Sequence, residues 1–579
     1  MSVRQYIGAR YTTKIYENSL DPSSAEWEQG TFEPLVMVTW QNSTYLSKKQ
    51  VPGSVGNPAD NPDYWVVTGY YNGQIMQLQN DIQAIHAGYV TPEMFGAVGD
   101  GVTDDTAALQ AAIDSGAIVK FRAGAIYIIS NTLVAASGMT LFGNYATIKV
   151  KDNNRIESAM MLIDQVGNIS ITGLIFDMNM QNMPLYTEDR VKRYNIGVYI
   201  NDSTNITLSG CAFINLYNQS VFIYNSHYNV QIINCAFTSL LQNQGDCAEF
   251  IAVQSVGDGV IKIVNNMFSG TNAANANYGV CAITASGTRC VLSISDNIIY
   301  NCGRNNYDNH RLAPIDLYGD CSNVYVNNNV VTSIHMFMRI EDCDNIHVTA
   351  NKFTDISQDR ESADEPFIWI DFGGVYLSRD TVENIYILNN ELICNGNKEG
   401  NVIAIWNAKT SSDKVLNNVV IENNKIVGSD YYPPIKTDGR CNDLIIKNNS
   451  ITAGSTIAIQ YYTGSVTTEA VTVKHQVISD NYIKGIKGIS ITITRGTDGL
   501  YISGLVINGN TIESSNESIE TTIQAVISNN MVNNTIWSDT SDTNYTLICN
   551  NIFDAAVATP VNGTTILHKD NAKGNALID

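Results

Sequence analysis

"NVYVNNNVV" (residues 323–331) is followed by "NIHVTANKF" (345–353), "NIYILNNEL" (384–392), "NVVIENNKI" (418–426) and "DLIIKNNSI" (443–451). Each stretch alternates apolar and polar residues, the two-residue period of a strand. A polar pair rich in Asn then interrupts it, and a second short apolar strand follows. Asn tolerates the left-handed backbone that a sharp corner needs. Each copy therefore reads strand, corner, strand.

The pattern begins upstream with "NISITGLIF", "NITLSGCAF" and "NVQIINCAF", and looser copies continue to "TLICNNIF", fourteen in all. Their closing apolar residues run from Phe176 to Phe553 at spacings of 20 to 39. Such a repeat suggests a solenoid, whose wall strands must match while its turns vary in length. The two-residue period excludes a helical solenoid, and no strict six-residue period marks a left-handed hexapeptide helix. The fold class expected is all-β, a single-stranded right-handed parallel β-helix. Fourteen coils at about 4.8 Å make a rod of roughly 65 Å. Stacking puts Asn423–Asn424 over Asn448–Asn449 as part of an Asn ladder. It also aligns Cys321 with Cys343 and Cys211 with Cys235, as structural thiols in or near the core.

The rest of the composition narrows the function. Charged residues make up only 16% of the 579, and the net charge is −22. Nucleic acid, which requires Lys and Arg against phosphate, is not an expected partner. Nor is membrane insertion: no apolar run is long enough to span, and "MSVRQYIGARYTTK" lacks the apolar core of a signal peptide. Eleven cysteines without CxxC spacing argue for reduced, buried thiols rather than zinc.

Residues 1–70 differ from the repeats. "EPLVMVTWQNSTYLSKK" reads as a hairpin turning at Gln41–Asn42–Ser43, and Trp40 and Trp65 belong to a small β module. That module resembles small chitin-binding-type modules, which leaves Trp40 and Trp65 to bind sugar or to pack. In residues 71–90, Ile75, Leu78, Ile82 and Ile85 form an a/d seam. This is expected to be a short helical neck joining three subunits; a surface helix packed on its own chain is the alternative.

"MFGAVGDGVTDDTAALQAAID" (94–114) opens the solenoid. Thr103 or Asp104 can cap a helix, and Asp104 and Asp105 suit its N-terminal dipole. Ala108, Leu109, Ala112 and Ile113 form its apolar face. An amphipathic helix here would plug the open end of the first coil. The four acids Asp100, Asp104, Asp105 and Asp114 are then architecture. The stretch closely resembles the opening motif of the pectate-lyase-like β-helix superfamily, which includes polygalacturonases and many phage tailspikes. With the N-terminal module and neck, the whole chain looks like a phage tailspike or tail fibre. The organisation expected is a docking module (1–70), neck (71–90), first turns and capping helix (91–120), β-helix (121–560) and tail (561–579).

Candidates for chemistry lie on middle-coil strands before the repeat Asn. "APIDLYGDC" supplies Asp316 and Asp320; "MFMRIEDCDN" supplies Arg339, Glu341, Asp342 and Asp344; "PFIWIDFGG" supplies Trp369 and Asp371; "VIAIWNA" supplies Trp406. Alternation places Ile315/Leu317, Ile368/Ile370 and Ile403/Ile405 inside, so Asp316, Trp369, Asp371 and Trp406 point outward, with Arg339 aligned to the same face. Trp faces stack on sugar rings and acids carry acid/base work. Asp316, Glu341, Asp371, Asp320 and Asp342 are the catalytic candidates. Trp369, Trp406, Arg339, Arg311 and Glu249 are the glycan-binding ones. Asp246 and Glu249 form a second acidic cluster, and His310 and His335 read as solvated or structural.

Carboxyl pairs on adjacent coils fit the separations of either retaining or inverting glycosidases. No metal or other cofactor is expected. A lyase would instead need Arg339 or Arg311 as base, often with Ca²⁺ on carboxylates. The resemblance implies a homotrimeric virion tail protein made in the host cytoplasm and acting at the host cell surface. It would dock to tail or baseplate proteins through residues 1–90, bind a host surface polysaccharide and cleave it as a glycoside hydrolase. A non-catalytic receptor-binding or structural fibre is the alternative.

Overall fold

The computed structural model describes most of residues 37–69 and 88–554, with short strands at 4–7, 11–14, 561–563, 566–567 and 576–578. Outside the described residues lie 15–30, 70–87, 184–193, 240–248, 271–279, 304–312, 334–336, 356–365, 372–381, 395–399, 407–415, 463–471, 493–500, 539–545 and a few shorter stretches. The neck seam, Asp246, His310, Arg311 and His335 fall there.

A single coil shows how the repeat folds. Ile315–Tyr318 forms a strand of the first wall, Ser322–Asn327 of the second and Val330–Ser333 of the third. The corners after the first and second walls turn at Asp320 and Asn328, with φ of 71° and 54°, and Asn323, near the start of the second strand, also has a positive φ of 60°. A residue with Cβ resists this left-handed region, and Asn and Asp tolerate it best. Left-handed positions of this kind, repeated from coil to coil, suit the Asn-rich composition.

Every strand pairs in parallel with its counterpart one coil away, as in Val324↔Ile346 and Val331↔Phe353. The first wall has 16 strands. The coils outnumber the fourteen sequence copies by two because Leu133–Val134 already belongs to this wall, one coil before the first copy, and Val561–Gly563 ends it, one coil after the last. The assembly is a right-handed parallel β-helix, the hand that parallel crossovers favour.

Inward residues form one continuous apolar core from Ala97 to Phe553. Phe176, Phe213, Phe237 and Phe268 stack coil on coil at centroid separations of 5.1, 4.9 and 4.7 Å. Beside the core runs the Asn ladder. Asn424 donates from its backbone N–H (2.9 Å) and its Nδ2 (3.0 Å) to Oδ1 of Asn449, and its Nδ2 also reaches the Ile387 carbonyl at 2.8 Å. The same triple contact recurs from Asn266 through Asn297, Asn329, Asn351 and Asn390 onward to Asn530, which donates to Asn551. These residues are buried, and buried amides need partners. Cys211, Cys235, Cys321 and Cys343 are buried, as is every described cysteine except the half-buried Cys549.

The N-terminal hairpin forms from Met37–Trp40 and Ser43–Ser47, and Trp65–Gly69 adds a third antiparallel strand. Val38, Tyr45, Val51 and Trp65 make its small core. Trp65 is 1% exposed, so it packs and presents no face to a sugar.

The opening segment is architectural, with its acids assigned differently from expectation. The helix spans Thr106–Asp114 and buries Leu109, Ala112 and Ile113. Asp105 occupies the N-cap position without capping. Its buried carboxylate accepts the N–H groups of Val98 (2.7 Å) and Gly99 (3.0 Å), fastening the preceding turn. Asp104 takes the N–H and hydroxyl of Thr106. Asp100 takes the N–H groups of Val102 and Thr103. Asp100–Asp104 is itself a strand against Ile126–Ile129. A Gly-rich turn leaves many amide donors unmet, and the carboxylates satisfy them.

Candidate functional site

Four consecutive first-wall strands, Ile315–Tyr318, Met338–Glu341, Ile368–Asp371 and Ile403–Trp406, bring the candidates together. Their register forms two outer columns. One runs Asp316↔Arg339↔Trp369↔Ala404 and the other Tyr318↔Glu341↔Asp371↔Trp406. Between them Leu317, Ile340, Ile370 and Ile405 face the core. Neighbouring members of a column are about 4.8 Å apart at the backbone. The side chain of Trp406 lies outside the described residues.

Arg339 is the hub. Its Nε and Nη2 bond the two carboxylate oxygens of Asp316 at 2.7 and 2.9 Å, and its Nη1 bonds Glu341 at 2.8 Å. A guanidinium is the group that can serve two carboxylates in a fixed plane. The face of Tyr318 lies 5.4 Å from the Arg339 carbon, within cation–π range.

The outward positions are not open positions. Asp316 is fully buried, whereas the Arg339 and Glu341 side chains are 19% and 13% exposed. The expectation that outward means solvent-facing fails here. Upstream, the same column runs Phe222, Ala252, Thr284, Asp316, all at most 2% exposed. This part of the wall is covered on both faces, and Phe222 and Ala252 form a second apolar cluster outside the core.

Burial pushes the Asp316 carboxyl above its ordinary value, against the pull of the Arg339 charge. Burial also opposes the Arg339 charge, yet Asp316 and Glu341 raise its pKa above the usual guanidinium value. Burial, and then the negative charge of Glu249, push the Tyr318 phenol up.

That coupling joins Glu249 to the site from two coils upstream. Glu249 is buried, accepts Gln219 Nε2 at 3.0 Å and stands in register with Cys281. Burial, Asp316 and Glu249 together raise the Cys281 thiol. Tyr318 and Cys281 were missed in the sequence. Their signal was positional: Tyr318 stands in register with Glu341, and Cys281 with Glu249.

Asp320 and Asp342 lie elsewhere. Both occupy the left-handed corner after the first wall, with φ of 71° and 55°. Backbone bonds link the corner coil to coil, from Asp320 N–H to the Asp342 carbonyl and from Asp342 N–H to that of Asp371. Asp320 pairs with Arg289 at 2.6 Å. Among the described residues no cluster of three His, Cys, Asp or Glu side chains is placed to hold a metal ion.

Residues 92–307 match the family described as rhamnogalacturonase A/epimerase, pectate lyase-like. A depolymerase of Klebsiella phage K5-2, described as capsule K30/K69-specific, is 53% identical over 55 residues. The match covers 9% of this chain and 7% of that relative, so it spans a small part of either protein. Among solved structures, a tailspike variant of E. coli bacteriophage HK620 in complex with a pentasaccharide is 11% identical. It aligns over 86% of this chain and 81% of its own, with a TM-score of 0.45. The phi29 gene product 12 is 12% identical over 87% and 75%, at 0.36. A surface adhesin of Streptococcus pneumoniae, PfbA, is 16% identical over 76% and 91%, at 0.35.

Proposed function

We propose that this chain is a phage tailspike whose first wall binds and hydrolyses a bacterial surface polysaccharide. The pectate-lyase-like match and the phage depolymerase relative support the setting. One observation carries the chemistry: Arg339 fixes Glu341 beside Asp371 on the next coil, with Trp369 adjacent. Glu341 and Asp371 are then the acid/base pair. One protonates the departing glycosidic oxygen, and the other takes a proton from the attacking water or forms the glycosyl intermediate.

Asp316, fully buried and committed to Arg339, is a positioning residue that holds the guanidinium in plane. Trp369 offers an apolar face to a sugar ring. Residues 1–90 would dock the chain to the virion tail, three chains would assemble together, and the wall would act at the host surface.

Binding without cleavage is the second reading. It is favoured by the commitment of Asp316 and Glu341 to one guanidinium. Reducing-sugar release from an array of purified bacterial capsular, O-antigen and exopolysaccharides separates the two. Release from a bound glycan supports hydrolysis, whereas retained binding with no release assigns the wall to recognition alone.

A further inference from the structure

Further along the same wall lies a depression of about 390 Å³, within the range of small-ligand clefts, about 300–1,000 Å³. Tyr431, Tyr432, Lys436, Thr456, Gln460 and Lys487 contribute to its lining. Lys436 and Gln460 continue the outer column of Asp316, Arg339, Trp369 and Ala404, since Ala404 pairs with Lys436 and Lys436 with Gln460. Lys436 is two coils beyond Trp369, roughly 10 Å along the rod. Ala404, between them, is buried.

The cleft is preformed. Ser429 Oγ accepts the Tyr432 N–H at 3.2 Å, and Asn401 Nδ2 bonds the Pro433 carbonyl at 2.7 Å. A Cβ at Gly428 would come within 2.4 Å of Pro434, and one at Gly454 within 2.0 Å of Asp430, so both neighbouring turns require glycine. Tyr431, meanwhile, is 59% exposed. An exposed aromatic on a locked turn is suited to stacking on a ring, with little ordering entropy lost on binding. The hydroxyl of Thr456 is shielded from solvent and has no hydrogen-bond partner in the structure. Lys487 is paired with Glu517 (3.2 Å) and Glu520 (3.0 Å).

We propose that this cleft is a distal subsite that takes a pyranose ring of the same polysaccharide against Tyr431, with Gln460 bonding its hydroxyls. The inference rests on the reading of the first wall as a glycan-binding surface. Its test uses the full chain and titration calorimetry. The probes are the polysaccharide that the wild type binds from the array above and fragments of it graded in length. Tyr431→Ala/Gln460→Ala is expected to weaken binding of the intact polysaccharide at least tenfold. The loss should shrink on fragments too short to reach from Trp369 to the cleft, and Tyr431→Phe should restore most of it. Equal affinity of variant and wild type for the intact polysaccharide overturns the subsite while leaving the wall reading in place. An equal loss on the shortest fragments overturns it too. Absence of wild-type binding to any member of the array overturns both.

Discussion

Asp316 and Arg339 face each other across neighbouring coils, joined by two parallel bonds of 2.7 and 2.9 Å, with the carboxylate wholly out of solvent. A buried pair broken on one side leaves a charge uncompensated, at about 3–5 kcal/mol. Arg339→Ala should destabilise the coils around it by that order, while Asp316→Ala/Arg339→Ala should recover part of the loss. Hydrogen exchange resolved by segment is the suitable measurement, because a long repeat unfolds in parts.

Glu341→Gln and Asp371→Asn should each lower reducing-sugar release by about 100-fold or more, the scale of general acid–base catalysis, with glycan binding largely kept. Asp320→Asn, at the corner, should leave turnover near wild type. Parallel initial-rate and binding measurements would show both.

The Asn ladder predicts a gradient of damage. Asn424→Ala removes the acceptor of both the Asn390 N–H and its Nδ2, and a donor to the Ile387 carbonyl. Each buried group left unmet costs about 1–3 kcal/mol. Asn266→Ala, at the first rung, strips the acceptor from one donor alone, the Cys235 N–H, and should cost less. Thermal melts of the two variants would rank them.

Ala350 is exposed and sits at φ 57°, where neighbouring coils place Asn328 and Asn389. The left-handed region costs a residue such as Ala about 1–2 kcal/mol. Ala350→Asn should therefore raise stability by about 0.5–1 kcal/mol, visible as a higher midpoint in denaturant.

Acid should loosen the opening turn. Hydrogen bonds from the backbone of Thr103 and Val102 hold the Asp100 carboxyl below its ordinary value. A carboxyl lowered in the fold stabilises it above the unfolded value, about pH 4, and loses that contribution as pH falls through the folded value. Amide exchange at Val102 and Thr103, referenced to mid-solenoid amides, should accelerate below about pH 4.

The solenoid, its corners and its inward face were legible because a two-residue period and a left-handed corner leave marks at fixed offsets, as in Asn328–Asn329 and Asn423–Asn424. The register of Asp316, Arg339 and Trp369 was legible for the same reason. The burial of Asp316 was not, because alternation separates inward from outward and carries no mark of how exposed an outward side chain is. The tie between Glu249 and Tyr318 was hidden likewise: they are 69 positions apart in sequence but two coils apart in space. Asp105, read as a match to the helix dipole, misled because a carboxylate that suits a helix N-terminus and one that fastens a turn are the same side chain.

The Asn-to-Asn bonds of the ladder all run one way, each Asn donating its N–H and Nδ2 to the Oδ1 of the next Asn in sequence, while the same Nδ2 also reaches back to a carbonyl of the preceding coil. A chain folded only as far as Asn390 ends with two buried donors waiting, and the coil bearing Asn424 answers both. Each rung therefore presents donors to the next coil and one acceptor to the coil before it. Phase is checked by one amide oxygen rather than by the length of the intervening chain, which leaves the connecting turns free to diversify without disturbing the register of the coils.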